Sequence, residues 1–328
     1  MNPQIAPIPL GRIFTIVASV IQEASQMNFK NPDFPLAFHQ ADKFSLDGQR
    51  RTLAGTSTRL VLAIVATLCL ALAPLWPTEL FEHREIELVG IVAALLFLLA
   101  LLIELRLLRQ RPERAWYDGR ALAESAKTLS WRYAVGGAPY PIVLGAAAVD
   151  DAYRRDIQNL ATDLMALESA VASGEEPTNW MRDLRVSELP VRQTAYLHHR
   201  VRDQEEWYAR KATFNIRRAR MWVATLLVAE AAGVILALLK STSVVPVDLA
   251  CVAAAVIASG VAWTALKQHE SVGAAYTLAS RELASVHVRL LEIESEEQWA
   301  QEVASAEGAI SREHTMWRAS RLTVPQPD

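Results

Sequence analysis

The sequence predicts an all-α integral membrane protein, with two transmembrane helical hairpins (four spans) and long cytoplasmic helical or coiled-coil extensions. Three observations predict this fold class. Four long runs are almost free of charge, these runs fall into two closely spaced pairs, and apolar residues outside them recur at helical rather than β spacing. The runs are residues 60–78, 88–103, 221–239 and 249–266.

Each of the four runs is long enough to cross a bilayer. A helix needs roughly 20 mostly apolar residues to cross about 30 Å of hydrocarbon. The runs have 19, 16, 19 and 18 residues, and the second continues as an apolar helix to Leu108. The alternative is a soluble bundle with four buried core helices. Helices of that kind keep a polar stripe, which these runs lack.

The composition indicates that apolar residues are concentrated in patches. Of the 328 residues, 52% are hydrophobic, yet the mean hydropathy is only +0.13 because 21% are charged. With 33 basic and 36 acidic residues the net charge is −3, which argues against a nucleic-acid binder that works by neutralising phosphates. Cys69 and Cys251 lie in different apolar runs, which predicts small buried side chains rather than a disulfide or a metal cluster.

The distribution of Lys and Arg beside the spans predicts the orientation of the chain. The connectors inside the two hairpins hold Arg84 and Lys240, whereas fourteen basic residues flank the other span ends. The positive-inside rule therefore predicts that both termini and the middle segment lie in the cytoplasm. The fourteen residues are Arg50, Arg51, Arg59, Arg106, Arg109, Arg111, Arg114, Arg120, Arg210, Lys211, Arg217, Arg218, Arg220 and Lys267.

The segment 1–34, which precedes the first hairpin, contains one apolar stretch at 13–21. This stretch is too short to span a membrane. Because its apolar residues share one helical face, it predicts a short amphipathic helix. Those residues are Ile13, Ile16, Val17 and Val20.

Three apolar seams predict helices outside the spans. The longest follows the fourth span with alternating steps of four and three residues, and no strong helix breaker separates the two. Residues 249–293 are therefore predicted to form one continuous rod. A seam of this kind either packs inside its own chain or joins the subunits of an oligomer. The longest seam consists of Val272, Tyr276, Ala279, Leu283, Val286, Leu290 and Ile293. The second seam, in the middle segment, consists of Tyr153, Ile157, Leu160, Leu164, Leu167 and Val171. The third seam, which follows the second span, consists of Ala115, Gly119, Leu122, Ala126, Leu129 and Tyr133.

A capping box predicts where the last helix begins. Ser295 is followed three residues later by Gln298, a spacing typical of a helix N-terminus. A helix that begins here has four apolar residues on one face, namely Trp299, Val303, Ala306 and Ile310.

Glu230 interrupts the third span near its middle. It lies nine residues after Met221, roughly 14 Å into a core of about 30 Å. Such a carboxylate must face a bundle interior, water or a partner, or be protonated. Gly233 and Ala237 are predicted to share its helical face and to let helices approach closely. Glu230 is thus either a neutral group hydrogen-bonded between helices or a carboxylate that lines a pore.

The first outer connector is acidic. It contains Glu79, Glu82, Glu85 and Glu87 but only one basic residue, Arg84. In an oligomer these carboxylates form a ring that concentrates cations at the outer mouth of a pore. The alternative is a solvated polar loop. Near the other end of this hairpin, Glu104 lies close to Arg106 and Arg109 and is predicted to extend toward the membrane surface.

The sequence contains none of the usual signatures of an active site. It has no Walker A sequence, no Gly-x-Gly-x-x-Gly motif, no His-Glu-x-x-His and no Gly-x-Ser-x-Gly. The seven histidines are scattered, and the adjacent His198 and His199 point about 100° apart on a helix. We therefore predict that the protein is not an enzyme and has no catalytic residue, cofactor or metal site.

Four stretches outside the apolar runs carry recognisable patterns. They are Phe-His-Gln-Ala-Asp-Lys-Phe at 38–44 with the polar residues up to 51, the stretch 116–133 with Ala-Glu-Ser-Ala-Lys and Trp-Arg-Tyr, the stretch 196–212, and the stretch 307–317. These stretches resemble one family of membrane effectors, the SLATT domains, which are two-transmembrane domains associated with SMODS and SLOG proteins. The resemblance divides the chain into two units after the N-terminal segment, at 35–180 and 181–328. Each unit has one hairpin with cytoplasmic helices.

The resemblance implies a pore-forming effector in bacterial defence against viruses, in the inner membrane, opened by a nucleotide-sensing partner protein. Because four spans do not enclose a wide water path, we predict a homo-oligomeric pore or ion channel, gated through the cytoplasmic helical bundle. The two hairpins form a direct repeat rather than the inverted repeat common in transporters. The alternative is a non-conducting scaffold in the lipid bilayer that recruits a cytoplasmic partner. Neither hypothesis includes nucleic acid.

Overall fold

The computed structural model describes residues 33–75, 88–167 and 176–322. Ten α-helices run through these residues: α1 Leu36–Leu72, α2 Leu88–Gln110, α3 Pro112–Val135, α4 Ala146–Leu167, α5 Asn179–Val186, α6 Leu189–Tyr196, α7 Asp203–Ser241, α8 Ala250–Lys267, α9 His269–Leu291 and α10 Glu296–Leu322. A short 3₁₀ turn, Ala73–Leu75, follows α1, and a π-helical turn, Leu197–Arg202, joins α6 to α7. The predicted amphipathic helix at 13–21 and the glutamates Glu79, Glu82, Glu85 and Glu87 lie outside the described residues.

The predicted fold class is confirmed. The described residues contain helices and no strand. Four helical stretches are long and apolar enough to cross a membrane: Leu36–Leu75, Leu88–Val135, Leu189–Ser241 and Ala250–Leu291. Each overlaps one of the four apolar runs, and residues 76–78 of the first run lie outside the described residues.

The described residues form two compact units, and each unit draws on both halves of the sequence. The membrane unit consists of Leu46–Trp116 and Lys211–Ala275, which include all four apolar runs. The globular unit consists of the residues up to Ser45, of Tyr117–Arg210 and of the residues from Tyr276 onward. Helices from both halves of the sequence therefore pack together in each unit.

Small residues line the packed faces of the membrane unit. Ala66 on α1 and Ala93 and Ala100 on α2 are buried, which is typical of spans whose backbones approach closely. In the second hairpin a Cβ added at Gly260 would lie 2.8 Å from the side chain of Leu226. Each hairpin is therefore held by contacts that a larger side chain would obstruct.

Aromatic side chains fill the core of the globular unit. Trp131 and Tyr196 pack edge to face with ring centroids 5.9 Å apart, and Tyr196 packs in the same way on Trp299 at 5.8 Å. Tyr133 and Tyr153 lie beside them with centroids 4.9 Å apart. Such aromatic pairs contribute stability beyond the area that they bury. The core thus joins α3, α4, α6 and α10.

Two arginines fix the loop that follows α3. Arg185 donates hydrogen bonds to the carbonyl oxygens of Tyr133 (2.8 Å) and Tyr140 (2.8 Å). Arg192 donates to the carbonyl oxygen of Val135 (2.8 Å). These guanidinium groups help to satisfy carbonyl groups at the C-terminal end of α3 and in the loop. The carbonyl oxygen of Val135 also accepts a hydrogen bond from Trp299 Nε1 (2.7 Å).

The long apolar seam packs inside the chain rather than presenting a free surface for subunits. Three seam residues are buried in the hydrophobic cores of the globular unit, namely Leu283, Val286 and Leu290. Three more are partly buried and pack against these cores, namely Tyr276, Ala279 and Ile293. Val272 lies in the membrane unit and is half-buried. A face that is buried against its own chain is not available to a second copy, so an oligomer needs a different surface. The described residues of the other two seams also pack in the core of the globular unit, for example Tyr153, Ile157, Ala126 and Tyr133.

The predicted rod at 249–293 is interrupted. Gln268 ends α8 with a φ of 49°, and α9 begins at the next residue. A non-glycine residue in this left-handed region does not continue a helix. The apolar pattern on both sides did not indicate this break, because Gln268 is not a typical helix breaker. The last helix, in contrast, begins as predicted: the backbone N–H of Gln298 donates to Ser295 Oγ (3.3 Å), and Trp299, Val303, Ala306 and Ile310 are buried.

We expect Gly48→Ala to destabilise the membrane unit. An added Cβ at Gly48 would lie 2.5 Å from the backbone nitrogen of Trp116 and 2.7 Å from the carbonyl oxygen of Pro112. Backbone atoms cannot rotate away, so α1 and α3 must separate, which costs about 1–3 kcal/mol. Gly308→Ala is the control, because nothing lies within 4 Å of its added Cβ. Thermal unfolding in detergent should show a lower melting temperature for the first variant and an unchanged or higher one for the control.

Candidate functional site

Glu230 lies on α7 and is exposed in the single chain. The face of α7 that packs inward is a stripe of half-buried residues at helical spacing, and Glu230 lies beside this stripe rather than on it. Val234 and Ala237 are exposed as well. The stripe consists of Trp222, Leu226, Ala229, Gly233, Leu236 and Leu239.

Gly233 does not lie on the outward face of α7 with Glu230, although the sequence predicts that the two residues share a face. An added Cβ at Gly233 would lie 3.4 Å from the Cβ of Ala253 on α8, so Gly233 belongs to the contact inside the hairpin. Ala237 is directed away from it. The three residues therefore divide into one that packs the hairpin, Gly233, and two that face outward.

Because Glu230 faces outward, its side chain carries a free-energy cost in the membrane. A charged side chain at the middle of a membrane helix costs about 2.5–3.5 kcal/mol on insertion scales. Among the described residues, no side chain forms an ion pair or a hydrogen bond with Glu230. The carboxyl group must therefore be protonated, hydrated or bound by another molecule. In an oligomer, a second copy of the chain provides either a direct partner or an enclosed, water-filled path.

Glu104 forms an ion pair across the first hairpin instead of only extending to the membrane surface. Its Oε2 accepts a hydrogen bond from Arg59 Nη1 of α1. Both side chains are about one-third exposed, at 34% and 30%. Nearby, an added Cβ at Gly55 would lie 2.8 Å from the side chain of Leu107. The pair thus closes one end of a tightly packed hairpin.

The globular unit contains a buried ion pair between Arg200 and Glu307. The side chains are 1% and 0% exposed. Arg200 Nη2 donates to Glu307 Oε2 (2.7 Å), and its Nε donates to Glu307 Oε1 (2.9 Å). This two-point arrangement is the strongest geometry for an arginine and a carboxylate. Thr128 Oγ1 donates to Glu307 Oε2 (2.8 Å) and the Tyr196 hydroxyl donates to Oε1 (3.0 Å).

Further charges on α3 surround this pair. Arg120 Nη2 lies 2.8 Å from Glu124 Oε1, and Arg120 Nη1 lies 3.9 Å from Asp42 Oδ1. Lys127 Nζ lies 5.7 Å from the centroid of the Phe34 ring. Burial lowers the pKa of Lys127, and the positive charge of Arg200 lowers it further. The unit therefore holds a network of charges around an apolar core, in which breaking the buried pair of Arg200 and Glu307 is costly.

The geometry offers no metal site among the residues that the structure describes. These residues contain no group of three or more His, Cys, Asp or Glu side chains that could hold a metal ion. His198 and His199 are adjacent, with ring centroids 6.5 Å apart. Cys69 and Cys251 are both free and half-exposed, so they are less buried in the single chain than the sequence suggests.

Two family models match the chain, one after the other. The SMODS and SLOG-associating 2TM effector domain 3 (SLATT_3) matches residues 35–193, and the SMODS and SLOG-associating 2TM effector domain 1 (SLATT_1) matches residues 196–317. The chain is a tandem SLATT protein. No curated protein and no solved structure matches it. The two SLATT domains give the chain a membrane effector role and confirm the resemblance found in the sequence.

The buried network links the two SLATT domains. Thr128 belongs to the first domain, whereas Arg200 and Glu307 belong to the second. The two matched ranges meet at residues 193–196. The tandem SLATT arrangement therefore shares one core, in which a hydroxyl group from one repeat donates to the central carboxylate of the other.

Sequence reasoning did not single out Arg200 and Glu307 as partners. Both residues lie in stretches that resemble the SLATT family, at 196–212 and 307–317. The signal that could have found them is a charged residue on the apolar face of a predicted helix. Glu307 directly follows Ala306 on the face of Trp299 and Val303, all of which are buried.

Proposed function

We propose that this tandem SLATT protein is a homo-oligomeric pore that conducts ions across the bacterial inner membrane and acts in defence against viruses. The observation that carries the proposal is Glu230, an exposed carboxyl group in the middle of a span. An assembly in which α7 lines a water-filled path hydrates this group and removes the cost of placing it in lipid. In this proposal the chain catalyses no reaction and needs no cofactor.

The surface that joins the subunits differs from the apolar seam on α9. The outward faces of α7 and α8 carry small residues, among them Ala237, Ala254 and Ala258, which are exposed. Faces of this kind let neighbouring membrane helices approach closely. Both Glu230 and the proposed subunit contact thus lie on the second hairpin.

A second candidate function is a non-conducting scaffold that recruits a cytoplasmic partner, such as a nucleotide-sensing protein. The observation that favours it is an apolar patch on the globular unit. Val143 is 82% exposed and Val186 is 85% exposed, and Arg185 holds the two segments together through the carbonyl oxygens of Tyr140 and Pro141. The same patch would serve a gating partner in the pore hypothesis.

Planar-bilayer recording on the purified chain tests the pore against the scaffold. We expect discrete conductance steps whose frequency rises with protein concentration faster than linearly, because several copies form one path. A membrane that stays silent, although the reconstituted protein is folded and inserted, would leave the scaffold as the better hypothesis.

The orientation of the chain can be tested by cysteine labelling. Starting from the variant Cys69→Ala/Cys251→Ala, we expect Ser243→Cys to react with an impermeant maleimide from the periplasmic side and Ser305→Cys to react only after the membrane is opened. Thr78→Cys should behave like the first position and Ser169→Cys like the second. Reversed labelling would place the acidic connector in the cytoplasm and remove its role at an outer pore mouth.

A further inference from the structure

One group of cations at the start of the third span surrounds an exposed aromatic ring. Phe214 on α7 is 49% exposed. Lys211 Nζ lies 5.9 Å from the centroid of its ring, and Arg218 Cζ lies 5.4 Å from it. Since these residues are spaced by three and four positions, all three share one helical face. This face carries two positive charges and one aromatic ring.

The end of the fourth span adds to the same group. Lys267 Nζ lies 5.4 Å from the ring centroid of Trp263. The ring of His269 lies 6.5 Å from that of Phe214, and its Nδ1 lies 2.7 Å from Asn215 Oδ1. Burial lowers the pKa of His269, and the charges of Lys267 and Arg218 lower it further. The three cations therefore act on one region of the membrane unit.

Two of these cations have no carboxylate partner. Within the ranges that the structure describes, neither Arg218 nor Lys267 forms an ion pair, whereas other arginines of the chain do, for example Arg59 with Glu104. Glu270, the acidic residue next to His269, is exposed on the first turn of α9. The charges of Arg218 and Lys267 are thus not compensated by a carboxylate of the residues that the structure describes.

Two of the cations, Arg218 and Lys267, also lie at the level of lipid headgroups. Arg218 precedes the first apolar residue of the third span by three residues, or roughly 4.5 Å at 1.5 Å per residue. Lys267 directly follows the last residue of the fourth apolar run. The headgroup layer extends several ångströms beyond the hydrocarbon on each side, and tryptophan rings such as that of Trp263 are common there. Lys211 precedes the third apolar run by ten residues, roughly 15 Å, and so lies beyond this layer.

We propose that Arg218 and Lys267 form a binding site for the phosphate headgroup of an anionic phospholipid. The two aromatic rings hold the cations at the membrane surface, and the hydrogen bond between Asn215 and His269 fixes α7 beside the start of α9. A lipid is favoured over a soluble anion because the cations lie directly beside the apolar runs. The site does not depend on whether the chain conducts ions.

The test measures lipid binding to the full-length chain in detergent by native mass spectrometry. We expect the wild-type chain to bind phosphatidylglycerol more tightly than phosphatidylcholine. The variant Arg218→Gln/Lys267→Gln should bind phosphatidylglycerol roughly 30-fold more weakly, because each basic side chain near an anionic surface strengthens binding about five-fold. Should that variant fail to fold, Arg218→Gln alone, at an exposed position, should still weaken binding about five-fold.

The matched control for Arg218→Gln is Arg220→Gln. It removes one positive charge from the same turn of α7, but its spacing of six residues from Phe214 places it about 120° away around the helix. We expect the control to bind phosphatidylglycerol within a few-fold of the wild type. An equal loss in the control, or no preference for phosphatidylglycerol in the wild type, would overturn the proposal. Displacement of phosphatidylglycerol by millimolar inorganic phosphate would also overturn it and would indicate a site for a soluble anion.

Discussion

Glu307→Leu should lower the free energy of unfolding of the globular unit by about 3–5 kcal/mol, the usual result of removing one partner from a buried ion pair. The variant leaves the Arg200 guanidinium in the core without the carboxylate that accepts two of its hydrogen bonds. It also removes the acceptor of Thr128 and Tyr196. A urea titration of the detergent-solubilised chain, followed by tryptophan fluorescence, measures the loss.

Two further variants test whether the loss of stability comes from the unpaired, buried charge of Arg200. Glu206→Leu removes a carboxylate from an exposed pair with Arg202, whose side chains are about half exposed, and should cost less than about 1 kcal/mol. Arg200→Met in the background of Glu307→Leu removes the uncompensated charge and should restore part of the lost stability. If the double variant is less stable than Glu307→Leu alone, the unpaired guanidinium is not the cause of the loss.

Glu230→Gln should lower cation conductance by about tenfold at low salt, if copies of the chain surround a conducting path. Fixed negative charges in a narrow path raise the local concentration of cations by about 10-fold or more, and salt screens this effect. Gln keeps the shape and the hydrogen-bonding groups of Glu, so the assembly itself should persist. Recording of single-channel currents, together with mass measurement by light scattering, tests both statements.

Glu230→Leu and Thr225→Val provide the comparison. The first removes both charge and hydrogen bonding and, if Glu230 bonds between helices, should weaken association by roughly 1 kcal/mol. Thr225 is exposed on the same helix, and its hydroxyl already donates to the carbonyl oxygen of Met221 (2.9 Å), so its loss should leave conductance unchanged. Wild-type conductance and ion preference in Glu230→Gln would mean that this carboxylate does not line the path.

The sequence alone determined the fold class, the four apolar spans and the start of the last helix. Apolar runs of 16–19 residues permit little other than membrane helices, because such runs would expose too much apolar surface to water. Ser295 indicated the start of α10, since a capping hydroxyl acts on the backbone three residues away. The family resemblance was likewise readable, because its stretches are local.

The tertiary structure alone decided how those helices use their faces. The spacing from Leu283 to Leu290 shows that a face is apolar but not whether the chain itself or another copy covers it, and the structure assigns it to the chain's own core. Partners such as Arg200 and Glu307 are 107 residues apart, and no local spacing connects them. The direction of Glu230 also depends on which side of α7 packs against α8. These features follow from long-range packing, which periodicity along one helix does not encode.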